Sequence, residues 1–305
     1  MRFPSCFIKC SVCLGDDKLT YEHIIPESLG GFLEVNLQCG KCNNDLLGSK
    51  LIPKAKKIYP IRLAIHSLKS ELPELFKSIE EGQKYSAKSS DETISSAFLK
   101  NGEIISKAGK VNESELKIDK RDTEKNLRGM LSKEGFSDKE IEKKLNEFNS
   151  IKVDELFKIS NLLTVVKRKF LSWLPIADEV DMDNRIILLI AYNYLCITTG
   201  EMIFNDYFDS IREFIKSGTP SNYLQFEQFP YNGPYKPFHK IYLETLDDRT
   251  KVTILLFGSI AYKVTFLKLK IMSNDNNIII QELTEKKLYF AKTIQEAKEG
   301  LYYYP

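Results

Sequence analysis

The stretch that decides the fold is CSVCLGDDKLTYEHIIPESLGGFLEVNLQCGKCNN, residues 10–44. Two Cys-x2-Cys pairs, Cys10/Cys13 and Cys39/Cys42, stand about 25 residues apart in it. Each pair places two thiolates on one tight turn, and two such turns complete a tetrahedral shell of four sulfur ligands around zinc. Because that shell has no open position, the spacing predicts a structural zinc. Redox thiols and four unrelated buried cysteines are the alternatives.

The loop between the two pairs is longer than a plain zinc ribbon requires, so it has room for a functional element. It contains Glu22-His23 on a predicted strand that ends at Pro26, and Gly30-Gly31 turns the chain back toward the second pair. Side chains alternate along an ideal strand, which sends Glu22 and His23 to opposite sides. Both can serve one site only if the end of the strand twists or bends.

A helix is predicted to follow the second cysteine pair. Asn43 or Asn44 is suited to cap it, since a side-chain oxygen at that position accepts a bond from a free backbone N–H. Asn43 follows Cys42 directly, so a bound zinc would fix the position of Asn43 at the start of this helix.

The order of these elements, C-x2-C, EHIIPxSLGG and C-x2-CNN, resembles the bacterial branch of the HNH endonuclease superfamily over roughly the first 50 residues. The resemblance implies a ββα-metal module, similar to a treble clef, in which a hairpin and a helix clasp one catalytic Mg²⁺ or Mn²⁺. It implies that His23 is the general base and that Asn36 steadies the loop bearing the histidine. Glu22 and Asn43 are then the candidate ligands of the catalytic metal.

Two positions depart from the family pattern. Asn43 stands where the family name implies a third histidine, and an asparagine there still supplies an oxygen ligand; Asn44 takes that role if the helix starts one residue later. Glu22 stands where many relatives have aspartate. Its longer side chain either ligates the metal or orients a water in the next shell.

These residue types suit phosphodiester hydrolysis. An imidazole with a pKa near neutrality can deprotonate an attacking water. A hard cation held by a carboxylate, an amide oxygen and waters neutralises the phosphorane and the leaving oxygen. The sequence therefore predicts a divalent-metal-dependent DNA endonuclease that leaves 5′-phosphate and 3′-hydroxyl ends. RNA as substrate would share this chemistry. The alternative is a non-catalytic zinc module that binds nucleic acid or a partner protein.

A group of basic residues follows the module and could neutralise backbone phosphates beside the scissile bond. The competing interpretation is a solvated helix face. The group is Lys50, Lys54, Lys56, Lys57 and Arg62.

Composition describes an ordinary soluble protein. The chain has 305 residues, 43% hydrophobic content and a formal net charge of +2, so nucleic-acid binding must come from local patches. The start of the chain shows no secretory signal, and four cysteines in two tight pairs suit a reducing compartment. Cytoplasmic location without a membrane partner is the expectation. The apolar stretch at 186–197 is too short to span a bilayer and predicts a core helix that holds Cys196.

The remaining pattern favours the α+β class. We predict the nuclease module at 1–60 and an α+β extension at 61–305. The extension contains a charged helical insert at about 110–150, where Ser137 and Glu140 can form a capping box. Residues 151–216 look helical, and the part from about 221 to 290 is rich in strands.

Bacterial chains with an HNH module and an extension resemble restriction or phage-defence nucleases. By that analogy the expected context is antiviral defence. Partner subunits of a defence system or self-association into a homo-oligomer would both fit it.

Overall fold

A computed structural model of the chain describes fifteen stretches of residues. They are 2–3, 7–79, 83–88, 94–100, 103–106, 109–110, 115–119, 123–152, 156–158, 164–168, 174–175, 181–229, 234–271, 278–291 and 293. These stretches combine helices with largely antiparallel sheets, in agreement with the α+β class. Cys6, the spare thiol near the first pair, lies outside them.

The chain forms two compact units. Residues Met1–Ser78 and Ala177–Pro305 make the first unit, and Ile79–Ile176 make the second. The N-terminal module and the strand-rich C-terminal part therefore share one unit. The predicted boundary near residue 60, between the module and the extension, stays a prediction.

The first unit begins with a small sheet and a series of short helices. Its strands are β1 (Arg2–Phe3), β2 (Leu19–His23) and β3 (Glu34–Cys39), in the order β1-β3-β2. A π-helix (Lys41–Gly48) follows directly, then α1 (Ile52–Ala55), α2 (Tyr59–Ser67) and α3 (Pro73–Lys77). The helix predicted near Asn43 or Asn44 is present but begins at Lys41 after Gly40, so the prediction that one of these asparagines caps it is wrong. Each of the three α-helices has a proline in its first turn, where no backbone N–H is needed.

The second unit contains two four-stranded sheets and a helical pair. In chain order its elements are β4 (Lys84–Lys88), β5 (Ile94–Lys100), β6 (Glu103–Ser106), β7 (Gly109–Lys110), β8 (Glu115–Asp119), α4 (Thr123–Lys133), α5 (Asp138–Ser150), β9 (Leu156–Lys158), β10 (Thr164–Arg168) and β11 (Leu174–Pro175). The sheets run in the orders β11-β4-β5-β6 and β7-β8-β10-β9.

Two helices lie in the charged insert as predicted, and the capping box of Ser137 and Glu140 at the start of α5 is confirmed. The prediction of helix from residue 151 onward is wrong for β9, β10 and β11. Short segments such as Thr164–Arg168 are rich in β-branched residues, which fit a pleated surface better than a helix.

The rest of the first unit is a buried helix on a six-stranded antiparallel sheet. Its elements are α6 (Asn184–Thr199), α7 (Asp209–Ser217), β12 (Leu224–Phe229), β13 (Phe238–Leu246), β14 (Arg249–Leu256), β15 (Ile260–Phe266), β16 (Ile278–Glu282) and β17 (Lys287–Ala291). The sheet order is β12-β15-β14-β13-β16-β17. Every residue of α6 from Ile186 to Cys196 is buried, so the predicted central helix and its core cysteine are confirmed.

With the 3-10 turns that follow it, α6 forms one helical stretch of 21 residues, Asn184–Phe204. By length and composition alone this stretch could cross a membrane, so the expectation that it is too short does not hold. However, 67% of its most apolar part is buried within the fold. That burial is typical of the core helix of a soluble protein.

Buried hydrogen bonds join the N-terminal module to α6. The side chain of Gln38 on β3 donates to Asn193 Oδ1 over 3.0 Å. The hydroxyl of Tyr192 donates to the backbone oxygen of Ser11 over 2.6 Å. The module thus packs against the core of the first unit rather than standing as an isolated finger.

His239 on β13 is fully buried and hydrogen-bonded at both ring nitrogens. Its Nδ1 accepts from the backbone N–H of Phe257 over 3.1 Å. A backbone N–H can only donate, so the proton of the neutral ring sits on Nε2, which donates to the Leu29 carbonyl over 2.9 Å. Burial lowers the pKa of His239 to about 4 from its ordinary value of 6.5.

This burial predicts acid sensitivity. Because the folded pKa lies below the unfolded one, the contribution of neutral His239 is fully present above pH 6.5 and is lost as the pH falls toward 4. We expect the free energy of unfolding to drop by about 3 kcal/mol over that window from this residue alone. His239→Gln keeps a donor for Leu29 but does not titrate, so denaturant unfolding between pH 8 and pH 4 should show a shallower decline. Parallel declines in the two proteins would contradict the prediction.

Candidate functional site

The four cysteines of the two pairs converge. The sulfur atoms of Cys10, Cys13, Cys39 and Cys42 all lie within 4.8 Å of one another, and Cys13 Sγ is 3.7 Å from Cys39 Sγ. A tetrahedral zinc with Zn–S bonds of about 2.3 Å requires sulfur–sulfur distances of about 3.8 Å. The cluster therefore has the dimensions of a four-thiolate zinc site. Within the described part of the chain, no other group of three or more His, Cys, Asp or Glu converges in this way.

Local backbone geometry places the cysteines. In the first knuckle, Cys10 N–H donates to the Gly15 carbonyl over 2.7 Å, and the Cys10 carbonyl accepts from Leu14 N–H over 2.9 Å. Leu14 adopts a left-handed φ of 62° to close this turn. In the second knuckle, Cys39 ends β3 and Cys42 lies in the first turn of the π-helix. The zinc would thus lock the hairpin to the helix that follows it.

The crowding of thiols itself favours a cation. A hydrogen bond from Cys42 lowers the pKa of Cys10 to about 4. The same contact, with burial, raises the pKa of Cys42. Burial also raises the pKa of Cys13. Four neighbouring sulfurs cannot all ionise without a positive charge between them, and a divalent metal supplies that charge.

His23 lies at the end of β2 and borders an open cleft of about 870 Å³. It sits opposite Glu34 in the hairpin register, so both side chains emerge on the same face. Burial lowers the pKa of His23, while the carboxylates of Glu27 and Glu34 work in the opposite direction. The imidazole is neutral at pH 7 and half-buried, which suits a proton acceptor.

Three parts of the first unit form the walls of this cleft. One is the loop around Glu27–Leu29, another is α3 with the residues around it, and the last is the turn after β16. Two lysines line the cleft, Lys56 and Lys286. Lys56 Nζ donates to Ser78 Oγ over 3.0 Å, and burial lowers its pKa. Lys286 is exposed at the tip of the turn.

The same cleft is lined by four glutamates: Glu27, Glu34, Glu71 and Glu74. Two of them carry ion pairs that offset their charge. Glu34 pairs with Arg2 over 3.2 Å, and Glu74 pairs with Lys77 over 2.8 Å. The cleft is therefore close to electrically balanced, so a polyanion can approach it without a large repulsion.

Glu22 lies on the opposite face of β2 from His23. It sits across from Val35, is 5% exposed, and has its pKa raised to about 8 by burial. The irregular register of the hairpin falls between Thr20 and Tyr21, before Glu22, so the strand end keeps its alternation. A buried carboxyl with this pKa is protonated at neutral pH unless a cation lies beside it.

Asn43 connects the π-helix to the irregular part of β2. Its Nδ2 donates to Thr20 Oγ1 over 3.0 Å and to the Tyr21 carbonyl over 2.8 Å. A carbonyl only accepts, so this contact fixes which end of the amide is nitrogen. Both amide hydrogens are used, and Oδ1 is the acceptor that can serve a cation. Asn44 is exposed on the same helix, so Asn43 rather than Asn44 takes this position.

Asn36 faces Tyr21 across the hairpin, and alternation along β3 puts it on the face that carries Glu34 and His23. Its predicted role of steadying the loop before β3 stays a prediction. The loop has contacts that the sequence did not reveal. Gln281 Oε1 accepts from the backbone N–H of Phe32, a residue 249 positions away, and no local pattern marks such a pair.

The five basic residues after the module separate into different environments. Lys50, Lys54 and Lys57 are exposed on the surface. Of the five, Lys56 is the one that lines the cleft of His23. Arg62 Nε donates to the Lys56 carbonyl over 3.0 Å, a contact that stabilises the local backbone. Sequence reasoning missed Lys286, because the turn that carries it is remote in the chain.

The cysteine cluster predicts about one zinc ion per chain. Cys42→Ser should lose the metal and lower the melting temperature, since a structural zinc contributes directly to folding. Elemental analysis and thermal unfolding, each with and without a chelator, measure this. Cys196→Ala is the matched control, because Cys196 is an equally buried thiol outside the cluster. Full zinc content in Cys42→Ser would contradict the assignment.

Comparison of the chain with known protein families, curated proteins and solved structures finds no match.

Proposed function

We propose that the chain is a divalent-metal-dependent endonuclease that hydrolyses phosphodiester bonds in DNA, with His23 as the general base. The observation that carries this proposal is a neutral, half-buried histidine at the rim of an open cleft, on a hairpin that a cysteine cluster ties to its helix. The resemblance of residues 10–44 to the HNH pattern supports it.

The chemical role of His23 follows from its surroundings. Water is a weak nucleophile toward a negatively charged phosphodiester, and a positioned base contributes about 10²–10⁴ to the rate. His23 accepts the proton of the attacking water at a ring nitrogen. The carboxylates of Glu27 and Glu34 favour the imidazolium that results, which helps the proton transfer. Because burial outweighs these carboxylates, the ring is still neutral before the water is deprotonated.

Glu22 and Asn43 are the residues that would hold the catalytic cation. A carboxylate and an amide oxygen form a hard donor set, and Mg²⁺ keeps several waters beside such a pair. The fit rests on two features: the buried Glu22 carboxyl lacks an ion pair among the described residues, and the amide hydrogens of Asn43 are used on β2. When bound, the cation would neutralise charge on the phosphate and on the leaving oxygen. The zinc is separate and structural.

Lys56 and Lys286 are proposed to contact backbone phosphates on either side of the reacting group. They come from different elements but line the same cleft as His23. Lys50, Lys54 and Lys57 are exposed lysines outside the cleft lining and are proposed to add further phosphate contacts. Contacts of this kind carry affinity and no sequence information. A role in antiviral defence, with partner subunits, rests on the resemblance alone.

One observation favours the alternative, a non-catalytic zinc module that binds nucleic acid or a partner protein. Glu22 is buried on the face of β2 opposite to His23. A cation held there would lie on the other side of the strand from the imidazole unless the end of β2 rearranges. The alternative predicts salt-sensitive binding without any metal-dependent product, on DNA and on RNA.

His23→Ala should lower cleavage of plasmid DNA in Mg²⁺ or Mn²⁺ by at least about 100-fold, because it removes the proton acceptor. Zinc content and melting temperature should stay at the wild-type level. His66→Ala is the matched control, since His66 is also a half-buried histidine of this unit with a lowered pKa but does not border the cleft. Equal cleavage by His23→Ala and wild type would rule out the mechanism, and inactive wild type on DNA and RNA would favour the alternative.

Phosphate contacts also predict a change in salt dependence. The logarithm of the association constant for duplex DNA should fall linearly with the logarithm of the salt concentration. Lys56→Gln and Lys286→Gln should each make this slope shallower by about one. Fluorescence anisotropy without divalent metal measures the slope. Lys139→Gln on α5 replaces an exposed lysine of the other unit and should leave the slope unchanged. Slopes equal to wild type in both cleft variants would exclude this pair as phosphate ligands.

A further inference from the structure

The loop that connects His23 to β3 is unusually buried for a connecting segment. Ile24, Ile25, Leu29 and Leu33 are each 0% exposed. The turn inside the loop is so tight that a Cβ on Gly31 would lie 1.9 Å from the Ile25 carbonyl. Buried backbone groups in such a loop require partners, since an unpaired one costs about 1–3 kcal/mol.

Some of those partners come from the C-terminal sheet. Gln281 Oε1 accepts from the N–H groups of Phe32 and Leu33 over 2.9 and 3.3 Å. His239 Nε2 donates to the Leu29 carbonyl over 2.9 Å. His239 on β13 and Gln281 on β16 are direct partners in the antiparallel register, so their side chains emerge together on one face. This cross-strand pair holds the loop at two places.

A short path leads from Gln281 to the histidine. Leu33 N–H donates to Gln281, and the Leu33 carbonyl accepts from Ile24 N–H over 3.0 Å. Ile24 is the residue after His23. Two successive hydrogen bonds therefore separate Gln281 from the backbone that sets the position of the imidazole.

The other end of Gln281 shows that its acceptor oxygen matters. Nε2 is buried and finds no hydrogen-bond partner among the described residues. An apolar side chain would fill the same space without that cost. The amide oxygen of Gln281 serves the loop, whereas its nitrogen has no hydrogen-bond partner among the described residues.

We propose that His239 and Gln281 are positioning residues of the nuclease site, which hold the loop 24–33 and thereby the imidazole of His23 against the substrate. The inference rests on the proposed function and deepens it, because it makes the C-terminal sheet part of the reaction centre. A displacement of the base of about 1 Å can cost about 100-fold in rate. The proposed phosphate contacts, Lys56 and Lys286, lie outside this loop, so the effect falls on kcat more than on KM.

Gln281→Met in the zinc-loaded full chain tests this directly. It keeps the size of the side chain but removes the acceptor, and kcat for a defined duplex should fall on the order of 10- to 100-fold with KM within about threefold. Gln228→Met is the matched control. Gln228 lies in the same sheet and accepts from the backbone N–H of Met182 over 2.9 Å, away from the loop. Its kcat should match wild type.

Two further variants keep the test decisive if Gln281→Met fails to fold. Gln281→Glu retains an oxygen at the same reach and should restore kcat to within about fivefold of wild type, whereas Gln281→Asn withdraws it by one methylene and should not. Amide hydrogen exchange of Phe32 and Leu33 should be faster in Gln281→Asn than in Gln281→Glu. A general loss of stability would speed exchange at protected amides throughout the unit, whereas loss of this contact speeds exchange at Phe32 and Leu33 relative to the other protected amides.

The outcomes separate the two claims. If the wild type cleaves and Gln281→Met equals Gln228→Met in kcat, the positioning role is overturned while the nuclease assignment stands. Equal kcat in Gln281→Asn and Gln281→Glu overturns it as well. If the wild type cleaves neither DNA nor RNA, the proposed function fails and the positioning role fails with it.

Discussion

The convergence of four thiols within 4.8 Å is the constraint on which the N-terminal site depends. It fixes the end of β3 against the first turn of the π-helix. With that junction set, Asn43 reaches back to the irregular part of β2 and binds Thr20 and Tyr21. β2 in turn carries His23 to the cleft. The cysteine cluster therefore acts on the rest of the module through the strand that it positions.

The N-terminal module has support beyond its cysteine cluster. Ser11 and Gln38 bond to Tyr192 and Asn193 of the buried helix α6. The loop after His23 fills space between the hairpin and the C-terminal sheet with fully buried side chains. Packing of this kind removes apolar area from water at about 25 cal/mol per Å². The hairpin is thus supported by the junction at the cysteine cluster and by a hydrophobic core shared with the rest of its unit.

What the sequence could predict was local. The cysteine spacing located the cluster, the richness in Ile, Val, Tyr, Phe and Thr located the C-terminal strands, and Ser137 with Glu140 located a helix start. Short apolar segments such as Leu156–Lys158 were misassigned, because a few residues cannot separate a helical from a strand period. Lys286, His239 and Gln281 reach the site through contacts across about 200 positions or more. No spacing rule reveals contacts that only the fold creates.

The separation between Phe32 and Gln281 has a consequence for the timing of synthesis. The two residues lie 249 positions apart, with the whole second unit inserted between them. A ribosome adds about 5–20 residues per second, so roughly 10–50 s pass between the two ends of this contact. Throughout that interval the hairpin and its cysteine cluster can already form, while the loop beside His23 still lacks its buried partners. A growing chain would therefore carry a histidine whose loop still lacks its buried partners, and these contacts become complete only after the last strands of the sheet have been made.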